Sequence, residues 1–372
     1  MNRRKFLGFA GTAVIAAAGT GYLLSDRQHF VRDDIREDKD NTLSLQPDER
    51  EILYLASLAP SGHNTQPWIV KYLEPYHWII SNDQTKWLPA VDPAQRETIL
   101  SIGAFIQNLE YAASNLGYNC VFNLIALSNQ DEDIMEVRLG KKSIRDSFET
   151  KTIRQRRTVR SGYMKESLTK EHVAFLTGND KDHFQFFSNG SKEYNWLNEQ
   201  TIEANRQQTY RDDAQSELAD WMRLSSREAK KYCDGLTTAS MEIHGMPGWV
   251  VRNFYSKKDV MSKKFREQGL DKVKEQVNSS GGWLLITSKD NATSTLIETG
   301  KRLQRMLLKT REKNIAIHPM TQILEEAEYR NELNKSTGIS DTVQFILRTG
   351  YVKNYPGPVS LRRPVERFVK IH

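Results

Sequence analysis

The strongest constraint on the fold is an internal recurrence. Residues 101–109 read Ser-Ile-Gly-Ala-Phe-Ile-Gln-Asn-Leu and residues 298–306 read Glu-Thr-Gly-Lys-Arg-Leu-Gln-Arg-Met, which puts Gly103 in register with Gly300 and Gln107 with Gln304. The elements around them recur too. A helix pattern starts at Pro47 (Ile52, Leu53, Leu55, Ala56, Leu58), strand-like runs follow at 69–72 and 77–81, a long helix spans 99–116 and stops at Gly117, and a strand covers 120–126. Downstream the order returns as a helix at 170–176, a strand at 184–187, a helical region at 193–223, a strand at 283–287 and a helix at 295–313. Repetition on this scale predicts two related halves, about 47–150 and 151–372. The expected class is α+β, each half a mostly antiparallel sheet wrapped by helices, the two packed as an intramolecular pseudo-dimer that needs no second chain.

Composition limits the alternatives. The chain has 372 residues, 38% hydrophobic and 27% charged, which suits a globular protein and not a disordered one. Of its formal net charge of +6, Arg3, Arg4 and Lys5 supply three, too small a remainder to indicate a nucleic-acid partner. Those residues belong to a targeting pattern, Asn2-Arg3-Arg4-Lys5-Phe6-Leu7-Gly8, followed by an uncharged apolar run over 7–24, and this matches a twin-arginine export signal. Ala16-Ala17-Ala18 offers a cleavage site, but the run, at about 18 residues, could also stay behind as an inner-membrane anchor. The sequence therefore predicts the export machinery as a partner, a periplasmic location, and a polar spacer over 25–46. Cys120 and Cys233 form no Cys-x-x-Cys pattern, and the eight histidines show no i, i+3 or i, i+4 pair, so no metal site is legible. There is neither a Gly-x-Ser-x-Gly elbow nor a Walker motif.

Two stretches carry chemistry. Residues 59–68 read Ala-Pro-Ser-Gly-His-Asn-Thr-Gln-Pro-Trp. Pro60 ends the helix, Gly62 lets the backbone bend or approach a ligand, and the amides of Asn64 and Gln66 could meet the rim of a flat heteroaromatic such as a flavin. Residues 153–160 read Ile-Arg-Gln-Arg-Arg-Thr-Val-Arg, where guanidinium forks and the Thr158 hydroxyl could hold a terminal phosphate.

Both stretches resemble motifs of the FMN-dependent nitroreductase family. Pro60 to Trp68 fits the Pro-Ser-x-x-Asn-x-Gln-Pro-Trp flavin loop, and Arg156, Arg157, Thr158 and Arg160 fit the arginine motif that binds the FMN phosphate and the polar edge of the ring. The resemblance implies FMN as cofactor, held by Pro60, Ser61, Gly62, Asn64, Gln66, Arg156, Arg157, Thr158 and Arg160. It implies one more arginine after the C-terminal Arg348-Thr349-Gly350-Tyr351, where Arg363 is preferred to Arg362 because it directly precedes Pro364. Ordinary members are short homodimers whose sites combine motifs from two subunits. Here one flavin loop and one arginine motif occur in a single long chain, which is similar to the fused nitroreductase-like proteins of the dormancy-associated mycobacterial type.

The family's activity implies hydride transfer through flavin N5 from a small-molecule donor to an electron-poor acceptor, of nitroaromatic or quinone class. A non-catalytic FMN-holding protein is the alternative, and a flavin-free scaffold binding another anion is the third. The polar region 224–280, with its Gly245-Met246-Pro247-Gly248-Trp249 cluster, reads either as a lid over the flavin or as a surface insertion.

Overall fold

The computed structural model describes residues 25–26, 29–32, 44–142 and 149–371. The expected export signal and most of the spacer lie outside the described residues. The first unit contains α1 (Pro47–Ser57), β1 (Trp68–Glu74), β2 (His77–Asn82), α2 (Arg96–Asn115), β3 (Tyr118–Leu124) and β4 (Asp133–Lys141). Then come α3 (Thr150–Gln155), α4 (Lys170–Thr177) and β5 (Phe184–Ser188). A long insertion follows, with α5 (Lys192–Tyr210), α6 (Asp212–Trp221), β6 (Met222–Arg223), α7 (Ser226–Tyr232), β7 (Leu236–Thr237), α8 (Gly245–Phe254), α9 (Lys257–Val260) and α10 (Lys263–Val277). The chain ends with β8 (Gly282–Ser288), α11 (Thr293–Lys309), β9 (Ile315–Pro319), α12 (Gln322–Glu325), α13 (Ala327–Thr337), β10 (Thr342–Tyr351) and β11 (Val369–Ile371).

The class is α+β, and the recurrence extends to topology. The first sheet runs β11-β1-β2-β4-β3 and the second β5-β8-β10-β9. Without β11 the two orders correspond strand for strand, with α2 and α11 each joining a sheet's second strand to its third. Pairing is antiparallel throughout these sheets except that β11 lies parallel to β1, Val70 opposite Val369. The C-terminal strand thus completes the sheet of the first unit. The insertion stands where the first unit has only the tight β1–β2 turn.

One core spans both sheets. It gathers Ile52, Trp68, Phe105 and Leu109 with Ile297, Met306, Ile286 and Leu347. The matched glycines sit at its centre: a Cβ on Gly103 would lie 2.2 Å from the Ile297 carbonyl oxygen, and one on Gly300 2.0 Å from that of Leu100. Helix backbones come this close only where side chains are missing. Gln304 Nε2 donates to Asn108 Oδ1 at 2.7 Å and Arg305 Nη1 to Gln107 Oε1 at 2.9 Å, so the paired glutamines bind across the same seam. A second core, with Leu197, Trp283, Ile323 and Ile346, covers the far side of the second sheet, which is why β8 is buried along its whole length.

The region 224–280 is built from short elements around its own small core of Met222, Leu224, Val251 and Val260. The helical stretch expected at 193–223 breaks at Arg211, which has extended backbone, ψ 117°. Among the described residues no helix is long and apolar enough to cross a membrane, and no cluster of His, Cys, Asp and Glu could hold a metal. Cys120 and Cys233 are not joined in a disulfide.

Candidate functional site

Helix α1 ends with unpaired carbonyls, as every α-helix does. At Leu58 and Ala59 these are met by arginines from two distant parts of the chain. Arg156 Nη2 donates to the Leu58 oxygen at 3.3 Å, and Arg362 Nη2 donates to the oxygens of Leu58 and Ala59 at 3.2 and 2.9 Å. The helix C-terminus is the electronegative end, so cations settle there.

The two guanidiniums differ in what they leave over: Arg362 spends both Nη atoms on the carbonyls of Leu58, Ala59 and Leu361 and on Asn64 Oδ1 and keeps only Nε, whereas Arg156 keeps two of its three nitrogens. Arg156 is 7% exposed and Arg362 5%, yet Nε and Nη1 of Arg156 and Nε of Arg362 have no hydrogen-bond partner. Among the described residues neither makes an ion pair. Burial lowers the Arg156 pKa to about 10, with Arg32 lowering it further against an opposing pull from Tyr355. Burial also holds Arg362 well below its ordinary value, and the charges of Arg156 and Arg32 add to this. Like charges gathered away from water, with donor atoms to spare, suit an anion.

The loop between α1 and β1 runs through left-handed backbone at His63 (φ 45°), Asn64 (φ 56°) and Gln66 (φ 56°). Such conformations persist where surrounding contacts hold them. Asn64 Nδ2 donates to the carbonyls of Gly235 and Leu361 at 3.1 and 3.2 Å, and its Oδ1 accepts from Arg362 Nη1 at 2.8 Å. Gln66 Nε2 donates to the Cys233 carbonyl at 3.0 Å, and its Oε1 accepts from the Arg363 N–H at 2.9 Å. The expectation that these amides line a flavin rim therefore meets amides already engaged inside the chain. Ser61 Oγ accepts from Gln66 N–H at 2.9 Å, and Pro60 is partly exposed. A Cβ on Gly62 would come within 3.1 Å of Glu97 Oε2, so its close approach is to the protein's own helix α2.

Arg363, the residue preferred on sequence, is engaged within the chain. Its Nη2 donates to the carbonyls of Gln66 and Trp68 at 2.6 and 2.7 Å, and its Nη1 lies 3.5 Å from Asp83, so it braces the loop. Arg362 is the C-terminal residue that joins Arg156.

The rest of the arginine motif faces the insertion. Arg157 Nη2 pairs with Glu242 Oε1 at 2.9 Å, and that oxygen also accepts the Arg160 N–H at 3.0 Å. Arg160 Nε donates to the Ser240 carbonyl at 3.1 Å, and Arg160 Nη1 lies 2.6 Å from His318 Nε2. Thr158 is partly exposed between them. Burial raises the Glu242 pKa, but bonds from Ser161, the Arg160 N–H and Arg157 outweigh it and hold the carboxyl below its ordinary value. Glu242 itself is left-handed, φ 60°.

Two imidazoles complete the region. Burial drives His63 down to about 4, the Arg160 charge adding to this and Glu97 opposing it. His318, 5% exposed, is held well below its ordinary value by burial, Arg160 and Arg348. Both are neutral at pH 7, and both carry a buried Nδ1 without a partner. Sequence reading passed over His318, Glu242 and the Leu58 carbonyl. Only His318 carried a signal, a polar side chain in the apolar run 315–319.

No protein-family model matches the sequence, and no curated protein matches it. Solved structures do. A nitroreductase-like family protein from Bacillus cereus aligns at 10% identity over 62% of this chain and 99% of its own, TM-score 0.33. The FMN-dependent nitroreductase NfnB from Mycobacterium smegmatis, solved with NADPH, aligns at 12% identity over 55% and 86%, TM-score 0.35. A candidate nitroreductase from Anabaena variabilis aligns at 12% identity over 84% and 90%, TM-score 0.40. The chain is thus similar to nitroreductase-like proteins, the class its motifs resemble, but at these scores the likeness carries no functional argument and the residues have to supply it.

Proposed function

We propose that the chain is an exported FMN-binding oxidoreductase of nitroreductase type. The observation that supports this most is the pair Arg156 and Arg362, buried, without a carboxylate among the described residues, with Nε and Nη1 of Arg156 and Nε of Arg362 unpartnered beside the 59–68 loop. They suit the terminal phosphate of FMN. When bound, the isoalloxazine supplies hydride chemistry at N5, with an electron-poor acceptor of nitroaromatic or quinone class. Arg160 and Arg157 would supply positive charge to a ring edge that gains negative charge on reduction, and Glu242 offsets part of it. The unpartnered Nδ1 of His63 can accept or donate a single hydrogen bond according to tautomer, and that of His318, whose Nε2 accepts from Arg160, can donate one, toward a polar rim. Asn64, Gln66 and Arg363 act one step removed, holding the strained loop in place.

A second reading has its own support. Ser240 and Glu242 of the insertion already engage Arg160 and Arg157, as a segment closing over the site would. On that reading the protein holds FMN without ordinary turnover. Anaerobic addition of NADPH and then dithionite to the FMN-loaded chain separates the two: flavin absorbance bleached by NADPH supports the oxidoreductase, and bleaching by dithionite alone supports the holding role. An absence of flavin bands after reconstitution contradicts both.

A further inference from the structure

The described part of the chain begins at Ser25, and its first residues are fastened to α8, to the start of α7 and to Thr238. Trp249 Nε1 donates to Ser25 Oγ at 3.0 Å. Asp26 is clamped from several sides: its carboxylate accepts from the Ser226 N–H and Oγ at 2.6 and 2.8 Å, its N–H donates to Asn253 Oδ1 at 2.8 Å, and its carbonyl accepts from Arg252 Nε at 3.2 Å. His29 continues the attachment, with Nδ1 3.0 Å from Thr238 Oγ1. Immediately upstream in sequence lie residues 7–24, eighteen in a row without a charge and dominated by Ala, Gly, Leu, Ile and Val.

Of these, α8 buries Gly248, Val251 and Arg252 and turns a different stripe outward. Met246 is 69% exposed and Phe254 66%, and Trp249 and Val250 between them are partly exposed. Positions 246, 249, 250 and 254 follow the i, i+3, i+4, i+8 spacing of one helix face. None of the four is charged, and the Trp249 and Phe254 rings meet edge to face at 5.3 Å. Exposed Lys258 follows, and beside it Lys257, also exposed, pairs with Asp220.

Scattered exposed apolar residues need no explanation. Here the apolar stripe and the exit of an apolar chain segment coincide. If residues 7–24 lodge in a bilayer, Ser25 sits at its edge, and the bond to Trp249 brings α8 to the same level. Indole rings favour that boundary, and lysines there meet anionic headgroups. We propose that the Met246–Trp249–Val250–Phe254 face of α8 is a membrane-surface contact, lying in the headgroup region of a lipid bilayer beside the entry of the N-terminal apolar segment. This does not depend on the flavin reading.

The test uses the full-length chain reconstituted in phosphatidylethanolamine/phosphatidylglycerol vesicles whose acyl chains carry bromine, a contact quencher of tryptophan. The expected result is a quenched component that disappears in Trp249→Phe and also in the double variant Met246→Asp/Phe254→Asp, while the double variant stays on the vesicles through its N-terminal segment. Met246 and Phe254 are exposed, so folding does not depend on them. Equal quenching in wild type and Trp249→Phe, or full quenching retained in the double variant, overturns the proposal. So does self-association abolished by the double variant without any Trp249 quenching, which would give the stripe to a second copy of the chain.

Discussion

Arg156 and Arg362 come from opposite ends of the fold and share the Leu58 carbonyl. A charge-assisted bond to phosphate is worth about 1.5–3 kcal/mol, so Arg156→Gln should weaken FMN binding by roughly 10- to 100-fold and leave riboflavin binding almost unchanged, as read by fluorescence titration. Asn64→Ala removes the acceptor for buried Arg362 and the donor for two carbonyls. It should lower unfolding stability by about 1–3 kcal/mol in urea, and a change near zero would mean the loop is held by other contacts. A third residue-scale test concerns Glu325, which burial and then the Glu97 charge push up to about 8. A carboxyl whose folded pKa is raised is favoured while protonated, so its contribution is full below the unfolded value near 4.5 and is lost as pH rises toward 8. Glu325→Gln should therefore gain stability relative to wild type across that window, by an amount on the order of 1 kcal/mol, measured by denaturation at pH 5 and pH 8. At this scale the sequence shows which groups could bind a ligand but not where they point. Adjacent residues of an extended segment face opposite ways, which is why Arg362 reaches Arg156 while Arg363 braces the loop.

Among the elements, the α2–α11 crossing was the most legible, because two glycines in matched register are hard to explain except by close approach. Gly300→Ala sets a methyl against the Leu100 carbonyl, where the gap is 2.0 Å. The expected loss is about 1–3 kcal/mol or more, seen as a lower unfolding midpoint, and an unchanged midpoint would show that the helices can separate without cost. Strands β4 and β9 went unread for different reasons: β4 does alternate, with Met135, Val137 and Leu139 against Glu136 and Arg138, whereas β9 is a short apolar run that follows a basic turn and ends in His318 and Pro319. The helix that looked continuous breaks at Arg211, where no Gly or Pro marks the break and Asp212 and Asp213 open the first turn of the next helix.

Across the whole molecule, two sheets of corresponding order, a C-terminal strand returned to the first sheet and an insertion replacing a tight turn form one arrangement. The matched strand orders have their counterpart in the sequence recurrence, but the return of β11 was not readable, since only three residues make that strand. The insertion meets the arginine motif through Glu242, so Glu242→Gln should loosen that contact and speed release of bound FMN several-fold, followed as the rise of free-flavin fluorescence after dilution. The most direct measurement is a parallel titration of the purified chain with FMN and riboflavin. The account predicts tight FMN binding, with a preference over riboflavin that collapses in Arg362→Gln. Equal binding of the two flavins, or binding of neither, would contradict it.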